Sequence, residues 1–296
     1  MLGKKKTLGL ALSGGSLRGA AHIGVLKVLK ENGILPDYIA GTSAGSIVAS
    51  LFVAGLSFND IETAVVNVKK KNIVDWSVNF FNIIWMGIKS LFKCSLSLPL
   101  GLIKGNYIEN LLFMMTKGMM LNQISMPLAI TATDINSGER IIFTGKEYIP
   151  KTYVKDTVFI DDATIAEACR ASISIPGVFA PKKLKNRYLV DGGIKDNVPV
   201  DILRIWGADV VLAVDLKFAS QDDQNINTML EILLQSADIM GQSLSDCKLD
   251  VYADLVIDPE IYDMGLLEFT RIPEAIEKGE RATRKIIPRL RELLET

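Results

Sequence analysis

Apolar residues in this chain of 296 residues come as short runs and as three-to-four spacings, divided by glycine-rich turns. Residues 7–12, mostly apolar after Thr7, read as a short buried strand. It ends in Ser13-Gly14-Gly15-Ser16-Leu17-Arg18-Gly19. Residues 20–31 then carry Ile23, Leu26 and Lys30 at helical spacing, with Asn32-Gly33 as a stop. A second strand over 38–40 leads through Gly41-Thr42-Ser43-Ala44-Gly45 into a helix over 46–54. Two strand–turn–helix units in succession predict a parallel sheet with helices on its faces.

The pattern changes over 57–123, which holds Trp76, Phe80, Phe81, Trp85, Phe92 and Phe113, several Met and few strand signals. It predicts a mostly helical insertion between sheet strands. Further strands are expected at 127–134, 140–144, 188–190 and 210–215, and helices at 164–172, 227–244 and 273–294. Ile175-Pro176-Gly177 stops the first of these helices. No internal repeat or low-complexity tract is present.

Apolar types make up 49% of the residues and mean hydropathy is +0.26, enough for a large core and some extra apolar surface. The net charge of −1 gives no global field for nucleic acid or anionic lipid. Cys94, Cys169 and Cys247 are odd in number and widely spaced, which suggests a reducing compartment without a disulfide framework or zinc site. Lys4, Lys5 and Lys6 read as a solvated start, and the apolar run after them is too short for a signal peptide. No window reaches the ~20 apolar residues of a membrane span. The nearest, 76–88, is bounded by Asp75 and Lys89 and could lie on a bilayer but hardly cross one.

Gly41 to Gly45 fits the nucleophile elbow Gly-x-Ser-x-Gly, in which a strand turns sharply into a helix with Ser43 at the apex. A plain helix N-cap at Ser43 is the simpler alternative. A serine nucleophile needs a base, and the chain has one histidine, His22, near the start of a helix, where packing is the commoner role. If His22 is structural, a Ser-His-Asp triad is excluded by counting, leaving a carboxylate, a lysine or water. Asp191, followed by Gly192 and Gly193 at a strand end, is the best carboxylate, although Asp-Gly-Gly alone is more often a turn. Acyl transfer also develops an oxyanion, and the loop from Gly14 to Gly19 could direct its N–H groups one way. Arg18 either adds charge there or holds the loop's shape. The loop does not match a dinucleotide fingerprint, because Ser16 stands at the middle glycine position, and no Gly-Lys-Ser/Thr of a P-loop follows.

Together these pieces resemble the patatin-like phospholipase family, which carries a Gly-Gly-Gly-x-Arg/Lys-Gly loop, a Gly-x-Ser-x-Gly elbow and a later Asp-Gly-Gly/Ala in that order. Gly14-Gly15-Ser16-Leu17-Arg18-Gly19, Gly41 to Gly45 and Asp191 to Gly193 match them. The stretches 22–26, 171–179 and 197–200 are also similar, as are Ala132-Thr133-Asp134 and Ser137-Gly138-Glu139. The resemblance runs from about Leu8 to Asp215 and implies a three-layer α/β fold with a mostly parallel central sheet. On it, the chain is a single domain over 1–296 with a helical cap insertion at about 57–123. It implies a Ser43–Asp191 dyad and an oxyanion hole from Gly14, Gly15, Ser16, Arg18 and Gly19. Ser16 departs from the third glycine of the loop, where a positive φ is harder to hold.

Three readings follow: a lipid or ester acyl hydrolase, a silent relative that binds acyl chains or a partner, and a nucleotide-binding α/β protein. A fluorophosphonate separates the first two, and dinucleotide soaking tests the third. The hydrolase needs no cofactor or metal and takes a lipid or acyl-ester substrate, with no nucleic acid partner. Within the insertion, Trp76, Phe80, Phe81, Ile84, Trp85, Ile88 and Phe92 recur at spacings that share one helix face, with Lys89 and Lys93 at its end. This stripe either packs on the sheet domain or a second subunit, or forms a mobile cap that lines an acyl tunnel and touches the membrane. The expected setting is cytoplasmic, with peripheral contact at the inner face of the membrane left open.

Overall fold

A computed structural model describes residues 6–67, 75, 100–217, 229–265 and 268–295. The chain begins with β1 (Leu8–Leu12), a 3-10 turn (Ser16–Ala20), α1 (Ala21–Glu31), β2 (Tyr38–Thr42), α2 (Ala44–Val53) and α3 (Phe58–Asn67). It continues with β3 (Gly101–Ile103), α4 (Asn106–Met115), β4 (Leu128–Asp134), β5 (Arg140–Phe143), β6 (Thr157–Ile160) and α5 (Ile165–Ser172). Then come β7 (Gly177–Phe179), β8 (Lys182–Leu184), β9 (Arg187–Asp191), α6 (Val200–Ile205), β10 (Val210–Val214), α7 (Met229–Tyr252), β11 (Leu255–Ile257) and α8 (Ile272–Glu295).

The main sheet has the order β11-β10-β1-β2-β4-β5-β6, with β9 beside β4 and β8 beside β9. Pairing is parallel from β11 across to β4 and again between β5 and β6. It is antiparallel where β4 meets β5 and β9. The fold is therefore mixed α/β with a mostly parallel central sheet, as the two opening strand–turn–helix units imply.

Side-chain size differs between the two faces of that sheet. Leu8, Leu10, Leu12, Ile39, Leu128, Ile130, Val210 and Leu212 point to one core with α1, α2, α5 and α8. Ala11, Ala40, Ala129 and Ala213 point to the other, where α6 supplies Ile202 and Leu203 and α7 supplies Leu249. The large-residue face thus holds most of the buried volume, and the small-residue face lets α6 pack close to the strands. Both faces of every central strand are covered, which is why the strands read as unbroken apolar runs rather than alternating ones.

Within 57–123, the described residues give two helices, α3 and α4, and a strand, β3, which the sequence pattern does not predict. β3 pairs in parallel with β7, apart from the main sheet. Ile61 of α3, Leu112 of α4 and Leu121 are buried in the main core. The aromatic stripe Trp76, Phe80, Phe81, Ile84, Trp85, Ile88 and Phe92 lies outside the described residues. Among the described residues, no helix is long and apolar enough to cross a membrane.

Candidate active site

The topology of β4 brings two distant residues together. β2 runs parallel along one edge of β4 and ends with Thr42 opposite Thr131. β5 occupies the other edge, opposite Ile130 to Thr133. β9 must therefore share the edge used by β2, and it arrives from the opposite direction with Asp191 opposite Ala132. The ends of β2 and β9 meet head to head on adjacent β4 residues. Ser43 is the next residue after β2, and Asp191 is the last of β9.

Ser43 sits between β2 and α2 at φ 50° and ψ −120°, a conformation costly for any residue with a side chain. A Cβ on Gly45 would lie 2.3 Å from the Leu12 carbonyl oxygen, and one on Gly41 would lie 2.6 Å from the Gly45 carbonyl. Glycine at both positions lets α2 start this close to the strand ends. The Ser43 N–H donates to Ser172 Oγ at 2.8 Å, and its carbonyl accepts from Ser46 Oγ at 2.6 Å.

The Ser43 side chain lies beside the Asp191 carboxylate, close enough to lower its pKa. Asp191 Oδ1 accepts the Gly193 N–H at 2.8 Å. Burial, with 6% of the residue exposed, pushes the carboxyl up to about 6 against the nearby Ser43 side chain and the Gly193 N–H, which lower it; the Asp238 charge adds to the rise. Asp191 is thus poised to exchange a proton near neutral pH.

His22 plays another part. It is fully buried, and its Nε2–H donates to the Ser13 carbonyl at 2.8 Å while Nδ1 has no partner among the described residues. Burial lowers its pKa to about 4, so the ring is neutral and braces the end of β1.

The loop over Gly14 to Gly19 stands beside Ser43, for a Cβ on Gly14 would lie 3.3 Å from the Ser43 Cβ. The Gly14 N–H is donated to Asn197, to its carbonyl at 3.3 Å and its Oδ1 at 3.1 Å. The Gly15 N–H meets no acceptor among the described residues. Ser16 holds φ at 52°, so the serine takes the left-handed conformation that a glycine would take freely. Gly19 packs on Ala44. Arg18 is buried and donates to the Gly15 carbonyl at 3.3 Å and the Lys217 carbonyl at 3.0 Å. These bonds brace the loop against the segment that follows β10.

A charged cluster lies under the turn after Asp191. Asp196 is bound at 2.7 Å by Arg140 and at 2.7 Å by Lys248, and Arg140 also meets Asp201 at 2.7 Å. The Asp196 carbonyl accepts Thr42 Oγ1 at 2.8 Å, and Thr42 and Thr131 hydroxyls are 2.6 Å apart. The turn carrying Gly192 and Gly193 is thereby tied to the end of β2. Ser172 and Asn197 lie in stretches already similar to the family, but no local pattern marks their contacts, and Arg140 and Asp196 carry no motif at all. On the outer side, α7 passes the same turn at Gly241, which faces the Gly193 carbonyl. Ile194 of that turn and Ile239, Met240 and Leu244 of α7 are exposed. Among the described residues, no group of three or more His, Cys, Asp or Glu could hold a metal ion.

The family model for patatin-like phospholipases matches residues 10–204. This chain belongs to the patatin-like phospholipase family. Within that family it is similar to the uncharacterized NTE family protein Mb2594 of Mycobacterium bovis, at 24% identity over 303 residues. That match covers 94% of this chain and 46% of the relative, so the chain spans about half the length of this curated relative. YqhO of Bacillus subtilis is 31% identical over 196 residues, covering 64% of each chain. The mouse patatin-like phospholipase domain-containing protein 6 is 25% identical over 260 residues, covering 87% of this chain and 16% of its own. Among solved structures, VipD of Legionella pneumophila superposes with a TM-score of 0.54 at 17% identity, covering 96% of this chain and 67% of VipD. That likeness concerns the patatin-like fold.

Proposed function

We propose that this patatin-like chain is a serine acyl hydrolase that cleaves carboxylic esters of lipids with a Ser43–Asp191 dyad. One observation carries the reading: a strained, glycine-flanked serine stands beside a buried carboxylate whose pKa is pushed up to about 6. As Ser43 Oγ attacks the ester carbonyl carbon, its proton passes to Asp191. The carbonyl oxygen becomes an oxyanion beside the Gly14–Gly19 loop, where the Gly15 N–H is the first donor we assign to it. Arg18 and Asn197 keep that loop in place. Collapse breaks the ester bond, and the departing alcohol takes the proton from Asp191. Water then attacks the acyl-enzyme and gives a proton to Asp191, and the second collapse frees the fatty acid and returns the proton to Ser43.

The raised pKa serves this cycle, since a carboxylate at its ordinary value of ~3.9 would hold the serine proton too weakly. Ser16, the one departure that favours a silent acyl-binding relative, keeps the loop's left-handed turn. The test is hydrolysis of a lipid panel by wild type beside Ser43→Ala. The reading expects release of fatty acid from at least one ester class by wild type and none above background by Ser43→Ala. Equal release by both proteins would refute it.

A further inference from the structure

Both members of the proposed dyad hang by their main chain from the end of one helix. Ser43 is the last residue before α2, so its N–H belongs to no helix hydrogen bond, and β2 has ended one residue earlier. The group is buried and must find a partner inside the protein. Ser172 Oγ, at the last position of α5, accepts it at 2.8 Å. Two residues on, the Ser174 carbonyl accepts the Asp191 N–H at 2.9 Å. Ser172 and Ser174 are both fully buried, so water does not reach either contact.

This segment is itself fixed from several sides. α5 starts with a capping box in which Thr164 accepts the Glu167 N–H and the Glu167 side chain returns to the Thr164 N–H. At its other end, Arg170 Nη1 donates to Ser174 Oγ at 2.5 Å, and Ser174 Oγ donates to the Arg170 carbonyl at 2.8 Å. Arg170 Nη2 donates to the Ala180 carbonyl at 2.8 Å and to the Lys104 carbonyl. Arg170 thereby joins α5 to the β7 side and to the start of α4.

We infer that Ser172 is a positioning residue for the nucleophile, its hydroxyl oxygen holding the Ser43 main chain in the strained conformation that aims Oγ at Asp191. The inference rests on the dyad reading above. A strained residue persists only when its surroundings over-determine it. With Ser172 Oγ removed, the buried Ser43 N–H loses its acceptor, and the Thr42–Ser43 peptide loses the hold on its Ser43 side. A shift of about 1 Å in an attacking atom costs on the order of 100-fold in rate.

The experiment compares wild type, Ser172→Ala, Ser172→Thr, Ser50→Ala and Ser43→Ala on p-nitrophenyl butyrate, with fluorophosphonate labelling rates and melting temperatures in parallel. Ser50 is a second fully buried serine, on α2, whose hydroxyl meets Cys169 Sγ at 3.2 Å and not the dyad. Ser172→Ala is expected to lower kcat by about 10- to 100-fold, with KM within about twofold and labelling slowed in step. Ser172→Thr keeps the hydroxyl and recovers most of kcat, and Ser50→Ala keeps wild-type kcat. Wild-type kcat in folded Ser172→Ala overturns the inference, as does a loss shared equally by Ser50→Ala. If Ser172→Ala does not fold, Ser172→Cys, with a weaker acceptor, carries the comparison: reduced kcat supports the inference and wild-type kcat overturns it. Inactive Ser43→Ala beside fully active Ser172→Ala removes this inference alone. Turnover by Ser43→Ala at the wild-type rate removes the dyad reading and this inference with it.

Discussion

Asp191 is placed where a carboxylate is useful and costly. Its folded pKa of about 6 lies above the ordinary aspartate value, so the folded state binds its proton more tightly than the unfolded chain does. Its contribution to stability is therefore full below the unfolded value and is lost as pH rises through 6, by up to about 3 kcal/mol. Asp191→Asn should remove esterase activity yet raise resistance to urea at pH 7.5, with the gain shrinking towards pH 4.5. Lower stability of the variant at both pH values would show that the carboxylate is not under this strain. The same pKa predicts that kcat/KM climbs with a midpoint near pH 6 as Asp191 ionises. That limb should survive in His22→Gln, which keeps a donor near the Nε2 position; a pH–rate profile reads it. Ser16 gives a smaller effect. Its φ of 52° costs a serine roughly 1 kcal/mol that glycine avoids. Ser16→Gly should melt slightly higher and hydrolyse esters as fast as wild type or faster, and a large loss would give the Ser16 side chain a role of its own.

Elements that the sequence announces are those whose pattern is long or buried on both faces. β1, β2, β4, β5 and β10 are apolar runs, α5 has a capping box, and α8 alternates charge and apolar bulk, so each is legible without coordinates. β7, β8 and β11 have three residues each, too few for any periodicity, and α6 has six. Their positions are decided by partners far along the chain. The site divides in the same way. Ser43 and Asp191 stand at glycine-flanked strand ends and can be picked out locally. Ser172 lies 129 positions from Ser43, and Asn197 lies 183 from Gly14, so nothing nearby hints at their bonds. Gly24 and Gly279 are likewise explained only by the packing of α1 on α8. A Cβ on Gly24 would stand 2.1 Å from the Ile276 carbonyl oxygen, and one on Gly279 would stand 2.1 Å from that of Ala21. Gly279→Ala should force the helices apart and cost about 1–3 kcal/mol in urea unfolding.

At the scale of the whole molecule, the proposed chemistry uses only groups of the chain itself, the Ser43 and Asp191 side chains and the main chain of the Gly14–Gly19 loop. Hydrolysis should therefore persist in EDTA, and inactivation that calcium reverses would contradict the dyad account. The net charge of −1 offers no broad attraction to anionic lipid, so ester turnover should depend weakly on salt. The central claim is that Ser43 is an activated nucleophile and Asp191 its base. The direct measurement is intact-mass and peptide analysis after exposure to a fluorophosphonate. The account predicts one adduct per chain, on the peptide carrying Ser43, abolished in Ser43→Ala and slowed strongly in Asp191→Asn. An adduct on another serine, or equal labelling in Ser43→Ala, would contradict it.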